Sequence, residues 1–365
     1  MKIKFQKILS ASFIIFIPLF FAGGCSGSII WPDKISPSKI EKMSKNPVEI
    51  WTKKQPAAIS GLESSGNNIL LITSHRGHVY LVDSNSGNRI GKIWQPLYFD
   101  ISSHVLNSSD GHLFIASRRK HQVVAHDISR GKTLWKKKFM NMQEEMIAYD
   151  NKLYLSRRDG TIIALDKKRG KQILSLKLDK PIDHGLIIWK NQIILTTLGG
   201  KLIILSPELK KIKSYDLKLC SSPIITPRDP FVILVNCDGK IILLDQDGNL
   251  SYPFENLGYT VYSPPKIVDQ TLIISRADGE VMALDLTSGK MIWEFTDGNG
   301  LTNLPVQTTE DQVIIPYNRG TIVSLDIATG VEKWRYEVKH PIRHIQMTSA
   351  GLIVMDSKKN LSLIK

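Results

Sequence analysis

Histidines, aspartates and cysteines are the residue types in this chain that could support catalysis or bind a metal. The nine histidines include two close pairs, His75 with His78 and His340 with His344. A metal site would need further Cys, Asp or Glu side chains to converge on such a pair. The chain also contains no G-x-S-x-G, Walker or H-E-x-x-H motif. The sequence therefore predicts no catalytic residue, no metal site and no bound cofactor.

Cys220 and Cys237 lie in two β-rich runs on either side of a turn at 227–230 (PRDP). If Thr226 faces Phe231 across this turn, the two thiols stand directly opposite each other, within the separation that a disulfide requires. We expect a structural disulfide between them in an oxidising compartment. Two buried free thiols are the alternative, because a slip of one residue would place them on opposite faces.

Cys25 follows an N-terminal segment of the secretory type. Three lysines precede an apolar run at 8–21, and small residues (AGG) stand directly before Cys25. The run is too short for a spanning helix and is typical of a signal peptide. Its end resembles a bacterial lipobox, with Ala22 at the usual leucine position. This implies that the Cys25 thiol receives a diacylglycerol. Ordinary cleavage beside an unmodified cysteine is the alternative.

The sequence thus predicts a lipoprotein signal peptide at 1–24, and a lipidated Cys25 with a flexible tether at 25–47. The tether is rich in Ser, Pro and Lys and lacks a sustained period. Ser26 follows the cysteine, and in the sorting rule of lipoproteins a residue other than Asp there favours the outer membrane. Acyl chains, palmitate among them, would anchor the chain on the periplasmic side.

The formal net charge is +14 at pH 7. A basic exported protein meets anionic lipid or acidic protein surfaces rather than nucleic acid. The alternative is a solvated basic surface that binds nothing specific.

A repeat of about forty residues organises the rest of the chain. Its clearest copies are 279–293 (GEVMALDLTSGKMIW) and 320–334 (GTIVSLDIATGVEKW). The eight copies begin at positions 77, 121, 160, 200, 239, 279, 320 and 359. Forty-residue steps are typical of the four-stranded blades of a β-propeller, so eight copies predict eight blades.

Within each copy the residues alternate with period two, which is typical of a strand, and a turn follows. An aspartate can bond backbone amides two residues on, and a glycine four residues later tolerates a positive φ. The strand that follows carries a tryptophan in several copies. The aspartates are at 83, 127, 166, 285 and 326, and the tryptophans at 94, 135, 293 and 334. Two further runs precede each copy, which gives four strands per repeat.

The chain ends after the third strand of the eighth copy, at 359–365, whereas 48–54 (VEIWTKK) reads as a lone fourth strand with its own Trp51. Pairing these two strands would close a ring without long unpaired edges. We predict an all-β fold over 48–365. It is an eight-bladed propeller with four antiparallel strands per blade, closed by the N-terminal strand on the C-terminal blade.

The Ala-Leu-Asp and Gly-x-x-x-Trp elements resemble those of quinoprotein (PQQ-like) propellers, in which the tryptophan packs between blades. Some members are quinone-dependent dehydrogenases. Those enzymes are longer and carry adjacent cysteines beside the cofactor. This chain has no adjacent cysteines and no C-x-x-C-H haem site. A dehydrogenase is therefore the less favoured reading, and we expect no enzyme.

The signal, the eight repeats and the length together resemble the BamB-type lipoproteins of the outer-membrane barrel assembly machinery. The resemblance implies a non-catalytic scaffold, monomeric within a complex, that docks on the barrel insertase. That family uses a longer loop between the third and fourth blades. The segment at 176–185 (LKLDKPIDHG) is short here. The next connection, where that family has acidic residues, contains only Asp216 as an acidic residue. No partner residue can be assigned. The alternative is a lipid-anchored propeller that binds another envelope protein or an anionic ligand.

Overall fold

The computed structural model describes residues 43–365, with gaps at 45, 57, 65–67, 75–77, 95–102, 108–110, 118–120, 128–129, 131, 220–223, 262, 299 and 303. The described residues form eight antiparallel sheets of four strands each. The predicted signal peptide and Cys25 lie outside the described residues, as does the predicted tether up to residue 42. Within these described residues there is no helix long and apolar enough to cross a membrane.

Every sheet has the same internal order, and its strands are named by their place in it. The first strands are β2 (Ile59–Ser64), β6 (Ser103–Asn107), β10 (Met142–Tyr149), β14 (Ile182–Trp189), β18 (Ile224–Arg228), β22 (Lys266–Val268), β26 (Gln307–Thr308) and β30 (Ile342–Thr348). The second strands are β3 (Ile69–Ser74), β7 (His112–Ser117), β11 (Lys152–Arg157), β15 (Gln192–Thr197), β19 (Phe231–Val235), β23 (Thr271–Ser275), β27 (Gln312–Pro316) and β31 (Gly351–Asp356).

The third strands are β4 (His78–Asp83), β8 (Gln122–Asp127), β12 (Thr161–Asp166), β16 (Lys201–Leu205), β20 (Ile241–Leu244), β24 (Val281–Asp285), β28 (Thr321–Asp326) and β32 (Asn360–Ile364). The fourth strands are β5 (Arg89–Trp94), β9 (Lys132–Lys138), β13 (Gln172–Lys177), β17 (Lys211–Asp216), β21 (Leu250–Ser251), β25 (Met291–Phe295), β29 (Glu332–Glu337) and β1 (Glu49–Lys54). Each third strand begins one or two residues after a predicted repeat start.

The eight sheets are the blades of a closed propeller. Blades 1 to 7 follow chain order from β2, and blade 8 consists of β30, β31, β32 and β1. First strands of several neighbouring blades contact one another, as β6 and β10 do, which places the first strands around the axis. The contact between β2 and β30 joins blade 8 to blade 1. The predicted eight-bladed architecture is therefore confirmed.

The core is divided among the eight seams between blades. Each of eight clusters of buried apolar residues combines side chains from two adjacent blades. The cluster that closes the ring packs Ile72 and Tyr80 of blade 1 against Ile353 and Leu361 of blade 8. Second and third strands are buried almost throughout, because a neighbouring blade covers each of their faces. A single blade would leave both faces in water, so the ring is the unit that buries the core.

The predicted closure by the N-terminal strand is confirmed. β1 pairs antiparallel with β32, with Trp51 opposite Leu363 and Lys54 opposite Asn360. The amide of Val48 donates to the carbonyl of Lys365 at 2.8 Å, and the reciprocal bond is 3.1 Å long. The two ends of the described chain are thus held in one blade.

The aspartates of the repeat cap the turns between third and fourth strands, as predicted. Asp83 Oδ1 accepts the amides of Asn85 at 2.7 Å and Ser86 at 3.0 Å. Asp285 Oδ1 likewise accepts the amide of Ser288 at 2.6 Å, and this bond lowers the pKa of Asp285 below its ordinary value. Because these carboxylates are occupied in turns, they do not form an acidic cluster.

The tryptophans of the fourth strands join neighbouring blades. Trp135 of blade 2 donates its Nε1 hydrogen to the carbonyl of Lys167 in the blade 3 turn, at 2.7 Å. A Cβ built on Gly170 in that turn would lie 2.6 Å from the Trp135 ring, so only glycine allows the ring to approach. Trp293 contacts the blade 7 turn in the same way, through the carbonyl of Ile327 at 2.9 Å.

Trp94 departs from this pattern. Its partner in the neighbouring strand is His78, whereas Trp135 lies opposite Ala125 and Trp293 opposite Ala283. Gly91 holds the equivalent position in blade 1, opposite Leu81. The predicted place of Trp94 in a fourth strand is confirmed, but Trp94 lies three residues beyond the position that Trp135 and Trp293 hold in their blades.

Candidate interaction surface of the ring

Cys237 lies just beyond β19 and is disulfide-bonded. Cys220 lies outside the described residues, so its pairing with Cys237 stays a prediction. The register on which that prediction depended is wrong by two residues. Arg228, not Thr226, faces Phe231, because the hairpin turns tightly at Asp229-Pro230, which are joined by a cis peptide bond. The shift of two residues preserves the face of each side chain.

The histidine pairs show no metal-binding arrangement in the part of the chain that the structure describes. His75 lies outside it. His344 Nε2 lies 3.3 Å from the carbonyl oxygen of Ile59, across the seam between blades 8 and 1. Among described residues no three His, Cys, Asp or Glu side chains converge on a possible metal position. The interactions seen for His344 therefore join two blades.

A cleft of about 230 Å³ lies at the seam between blades 3 and 4. Blade 3 contributes the end of β13 and the start of the connection after it, and blade 4 contributes residues of its second, third and fourth strands. The lining residues are Leu176, Lys177, Leu178, Asp179, Lys180, Thr197, Lys201, Ile203, Leu205, Lys211 and Ser214. The floor is thus aliphatic, and the rim carries four lysines against one aspartate. This cleft offers packing to an apolar side chain and positive charge to an acidic one.

Short connections fix the geometry of this cleft. β13 ends at Lys177 and β14 begins at Ile182, so the connection between blades 3 and 4 is as short as its sequence predicts. The Lys177 ammonium pairs with the Asp159 carboxylate at 3.2 Å. The hydrogen bonds that Asp159 accepts from Thr161, together with this ammonium, lower the pKa of Asp159. Tyr154 of blade 3 donates to the carbonyl of Pro207 in blade 4 at 2.8 Å, and burial raises its pKa to about 12.

A second cleft, of about 320 Å³, lies at the seam between blades 7 and 8 and includes the closing strand. Its lining differs in charge, since Glu49, Glu337 and Asp356 face only Lys339. Ser362 Oγ lies 2.8 Å from Thr52 Oγ1 and donates to Glu49 Oε2 at 3.0 Å. These bonds tie β1 to β32, so this cleft serves ring closure.

Sequence reasoning did not single out Lys201 and Lys211 of the first cleft. Lys201 directly follows the glycine that begins a repeat copy, and Lys211 follows the turn of the same copy. Two lysines on the third and fourth strands of one blade are visible in the sequence once the copies are aligned. Their position at a seam depends on the neighbouring blade, which no single copy shows.

Comparison with known proteins agrees with this architecture. A family model described as outer membrane protein assembly factor BamB matches residues 75–209 and 221–357. The outer membrane protein assembly factor BamB of Nitrosomonas eutropha is 22% identical over 215 residues, which cover 57% of this chain and 43% of that protein. An uncharacterised protein of Rickettsia conorii is 19% identical over 272 residues, 69% of this chain and 57% of that protein. The chain thus spans about half the length of these two relatives.

Solved structures show the same fold at low identity. BamB from Moraxella catarrhalis superposes with a TM-score of 0.64 at 14% identity, covering 87% of this chain and 99% of that one. The computationally designed Ika8 protein gives 0.68 at 15% identity, with 85% and 96% covered. A europium-containing methanol dehydrogenase gives 0.64 at 12% identity, with 86% and 83% covered. Because the family model covers most of the chain in both halves of the ring, this protein belongs to the BamB family of PQQ-like β-propellers.

Proposed function

We propose that this protein is a non-catalytic scaffold of the outer-membrane β-barrel assembly machinery, and that it docks on the barrel insertase. The observation that carries the proposal is the match of the BamB family model to both halves of the propeller. The repeat side chains add support, since aspartates such as Asp83 cap turns and tryptophans such as Trp135 join blades. Because these repeat side chains stabilise the fold, we infer that the protein acts through its surface.

The cleft between blades 3 and 4 is the docking site that we favour. Its aliphatic floor and four lysines could receive an apolar side chain flanked by carboxylates. Outer strands such as β13 also present an open edge, to which an extended partner segment could add a strand. Both features suit a partner protein rather than a small substrate.

Membrane attachment through Cys25 and a position on the periplasmic face of the outer membrane belong to the same proposal. Metabolic labelling with a palmitate analogue should mark the natural chain. It should not mark a Cys25→Ala variant, which should also leave the outer-membrane fraction. Equal labelling of both chains would contradict lipidation at this residue.

A crosslinked pull-down of the tagged full chain from detergent-solubilised membranes tests the docking. We expect recovery of an outer-membrane barrel insertase, identified by mass. Lys180→Glu with Lys201→Glu should reduce that recovery, since both reverse charge at the cleft. Lys290→Glu with Lys358→Glu, at exposed turn positions of blades 6 and 8, is the control with the same change of net charge. If the insertase is not recovered although the protein is in the outer membrane, the result would favour a propeller that binds another envelope protein.

A quinone-dependent dehydrogenase is the second candidate, and the fold shared with the europium-containing methanol dehydrogenase is the observation behind it. At 12% identity this likeness extends to the fold alone. The purified protein should be colourless, and added pyrroloquinoline quinone should yield neither a bound chromophore nor alcohol oxidation. Either signal would overturn the non-catalytic proposal.

A further inference from the structure

Charge is divided unequally around the ring. The segment 55–216, which contains blades 1 to 4, has 25 Lys and Arg against 14 Asp and Glu, a net charge of +11. Segments 48–54 and 217–365, which contain blades 5 to 8, have 16 against 18, a net charge of −2. The excess of positive charge in the propeller therefore belongs to one half of the ring.

The densest part of this charge is on the rim of blades 2 and 3. The outermost strand of blade 2, β9, reads KTLWKKK, and its four lysines are exposed. The turn before β13 in blade 3 adds exposed Lys168, Arg169 and Lys171. Trp135 holds the two sets together, since it extends from β9 to that turn. We call these seven residues the basic rim: Lys132, Lys136, Lys137, Lys138, Lys168, Arg169 and Lys171.

The acidic residues beside the basic rim have other partners. Asp127 accepts the amide of Arg130 at 3.0 Å and lies 3.6 Å from its guanidinium. Asp166 accepts the amide of Arg169 at 2.7 Å as a turn cap. No basic-rim side chain forms an ion pair with another residue in the described ranges. The positive charge of the rim therefore faces solvent.

Exposed aliphatic side chains stand among these lysines. Leu134 of β9 is 36% exposed and Met140, just beyond it, 57%. Ile173 of β13 is 47% exposed. A row of lysines with aliphatic residues between them matches the two layers of a membrane surface, the anionic headgroups and the upper acyl chains.

We propose that the basic rim binds the surface of an anionic phospholipid bilayer, so that the ring stands with blades 2 and 3 towards the membrane. A bilayer fits better than an acidic protein, because the charges of the basic rim spread over an open strand and turn with aliphatic side chains among them, whereas the lysines assigned to protein docking line a cleft. Several lysines near an anionic leaflet add their attractions over a Debye length of about 10 Å. The inference concerns orientation and does not depend on which protein the propeller binds.

Photocrosslinking of the full chain in proteoliposomes tests this orientation. The vesicles contain phosphatidylglycerol and a photoactivatable phospholipid, and adducts are mapped by mass spectrometry. We expect adducts at 132–140 and 168–173 and few in blades 5 to 8. The adducts should be lost in vesicles of phosphatidylcholine alone and at about 1 M salt, where the Debye length is about 3 Å. Adducts spread evenly around the ring, or unchanged in phosphatidylcholine, would overturn the proposal.

Two independent variants sharpen the test. Lys136→Glu with Lys138→Glu changes β9, and Lys168→Glu with Lys171→Glu changes the turn. Each pair should lower the adduct yield roughly tenfold, whereas Lys290→Glu with Lys358→Glu, in blades 6 and 8, should leave it unchanged. If the yield is unchanged, the lysines only protect the β9 edge from pairing, and the proposal is wrong. It is also wrong if the variants lose an acidic protein in pull-downs and keep their lipid adducts.

Discussion

Among single residues, Gly170 allows the Trp135 ring of blade 2 to pack closely on the turn of blade 3. It has a φ of +62°, and an added Cβ would lie 2.6 Å from the Trp135 ring. Gly170→Ala should therefore lower the free energy of unfolding by about 2 kcal/mol or more, from backbone strain and displacement of the ring. Chemical denaturation followed by fluorescence measures this.

Gly258 provides the matched control for Gly170. Its φ is +68°, and no described atom lies within 4 Å of the added Cβ. Gly258→Ala should therefore cost only the backbone term, about 1 kcal/mol. Equal costs for the two substitutions would show that the tryptophan contact does not require glycine.

His126 gives the stability of the ring a predictable dependence on pH. Burial lowers the pKa of His126 from 6.5 to about 4. The unfolded chain therefore binds this proton at a higher pH than the folded one. The contribution of neutral His126 is complete above about pH 6.5 and is lost as the pH falls towards 4. In His126→Asn the denaturation midpoint should fall less steeply across this range than in the natural chain. Identical slopes for the two chains would contradict the prediction.

At the scale of elements, the closing strand β1 is held by side chains as well as by backbone pairing. Trp51 donates to the carbonyl of Ser84 in blade 1 at 3.2 Å and packs on Gly87. Trp51→Ala should destabilise the protein by roughly 3 kcal/mol and release β1 from the ring. Trypsin under native conditions should then cut after the exposed Lys53 and Lys54.

Trp293 is the matched control for this effect, because it joins blades 6 and 7 within a continuous chain. Trp293→Ala should also cost roughly 3 kcal/mol. It should leave β1 in place, so that Lys53 and Lys54 stay resistant to trypsin. Early cleavage at these lysines in both variants would show that β1 is released by any loss of stability.

The elements themselves could be predicted from the sequence, because each blade repeats the same local physics. Aspartate caps and glycine turns at fixed spacing located the third strands, and the missing fourth strand of the last copy identified 48–54 as the closing strand. Register was less predictable. Trp94 lies three residues beyond the position of Trp135 in its blade, since blade 1 has Gly91 there instead. The hairpin at 229–230 is tighter than its four-residue turn signal suggested, so that Arg228 and not Thr226 faces Phe231.

The candidate surfaces were less predictable than the fold, because they form between two neighbouring blades. A single copy of the repeat does not show which residues of the next blade it meets. Lys177 and Lys201 line one cleft only because β13 and β16 meet at a seam. The basic rim was present in the sequence as four lysines at 132–138 and a KKRGK turn at 167–171. What the sequence lacked was their adjacency, which the Trp135 contact creates.

At the scale of the whole molecule, the ring is closed within blade 8, where Val48 and Lys365 exchange backbone hydrogen bonds. A linker of about four residues could join these ends, since turns between third and fourth strands are that short elsewhere. New ends in the blade 4 turn at 206–210 would recreate closure by a paired strand. New ends at 178–181 would leave the seam between blades 3 and 4 to side-chain packing alone. We expect the first circular permutant, with its ends at 206–210, to have a denaturation midpoint close to that of residues 48–365 in natural order.

The second permutant should unfold at lower denaturant, with faster hydrogen exchange in blades 3 and 4. The reason is that a paired closing strand adds backbone hydrogen bonds across the break, and opening the ring then requires a strand to leave its sheet. Equal midpoints for the two permutants would mean that the apolar seam clusters alone hold the ring closed. In that case the pairing of β1 with β32 would serve chiefly to protect a strand edge.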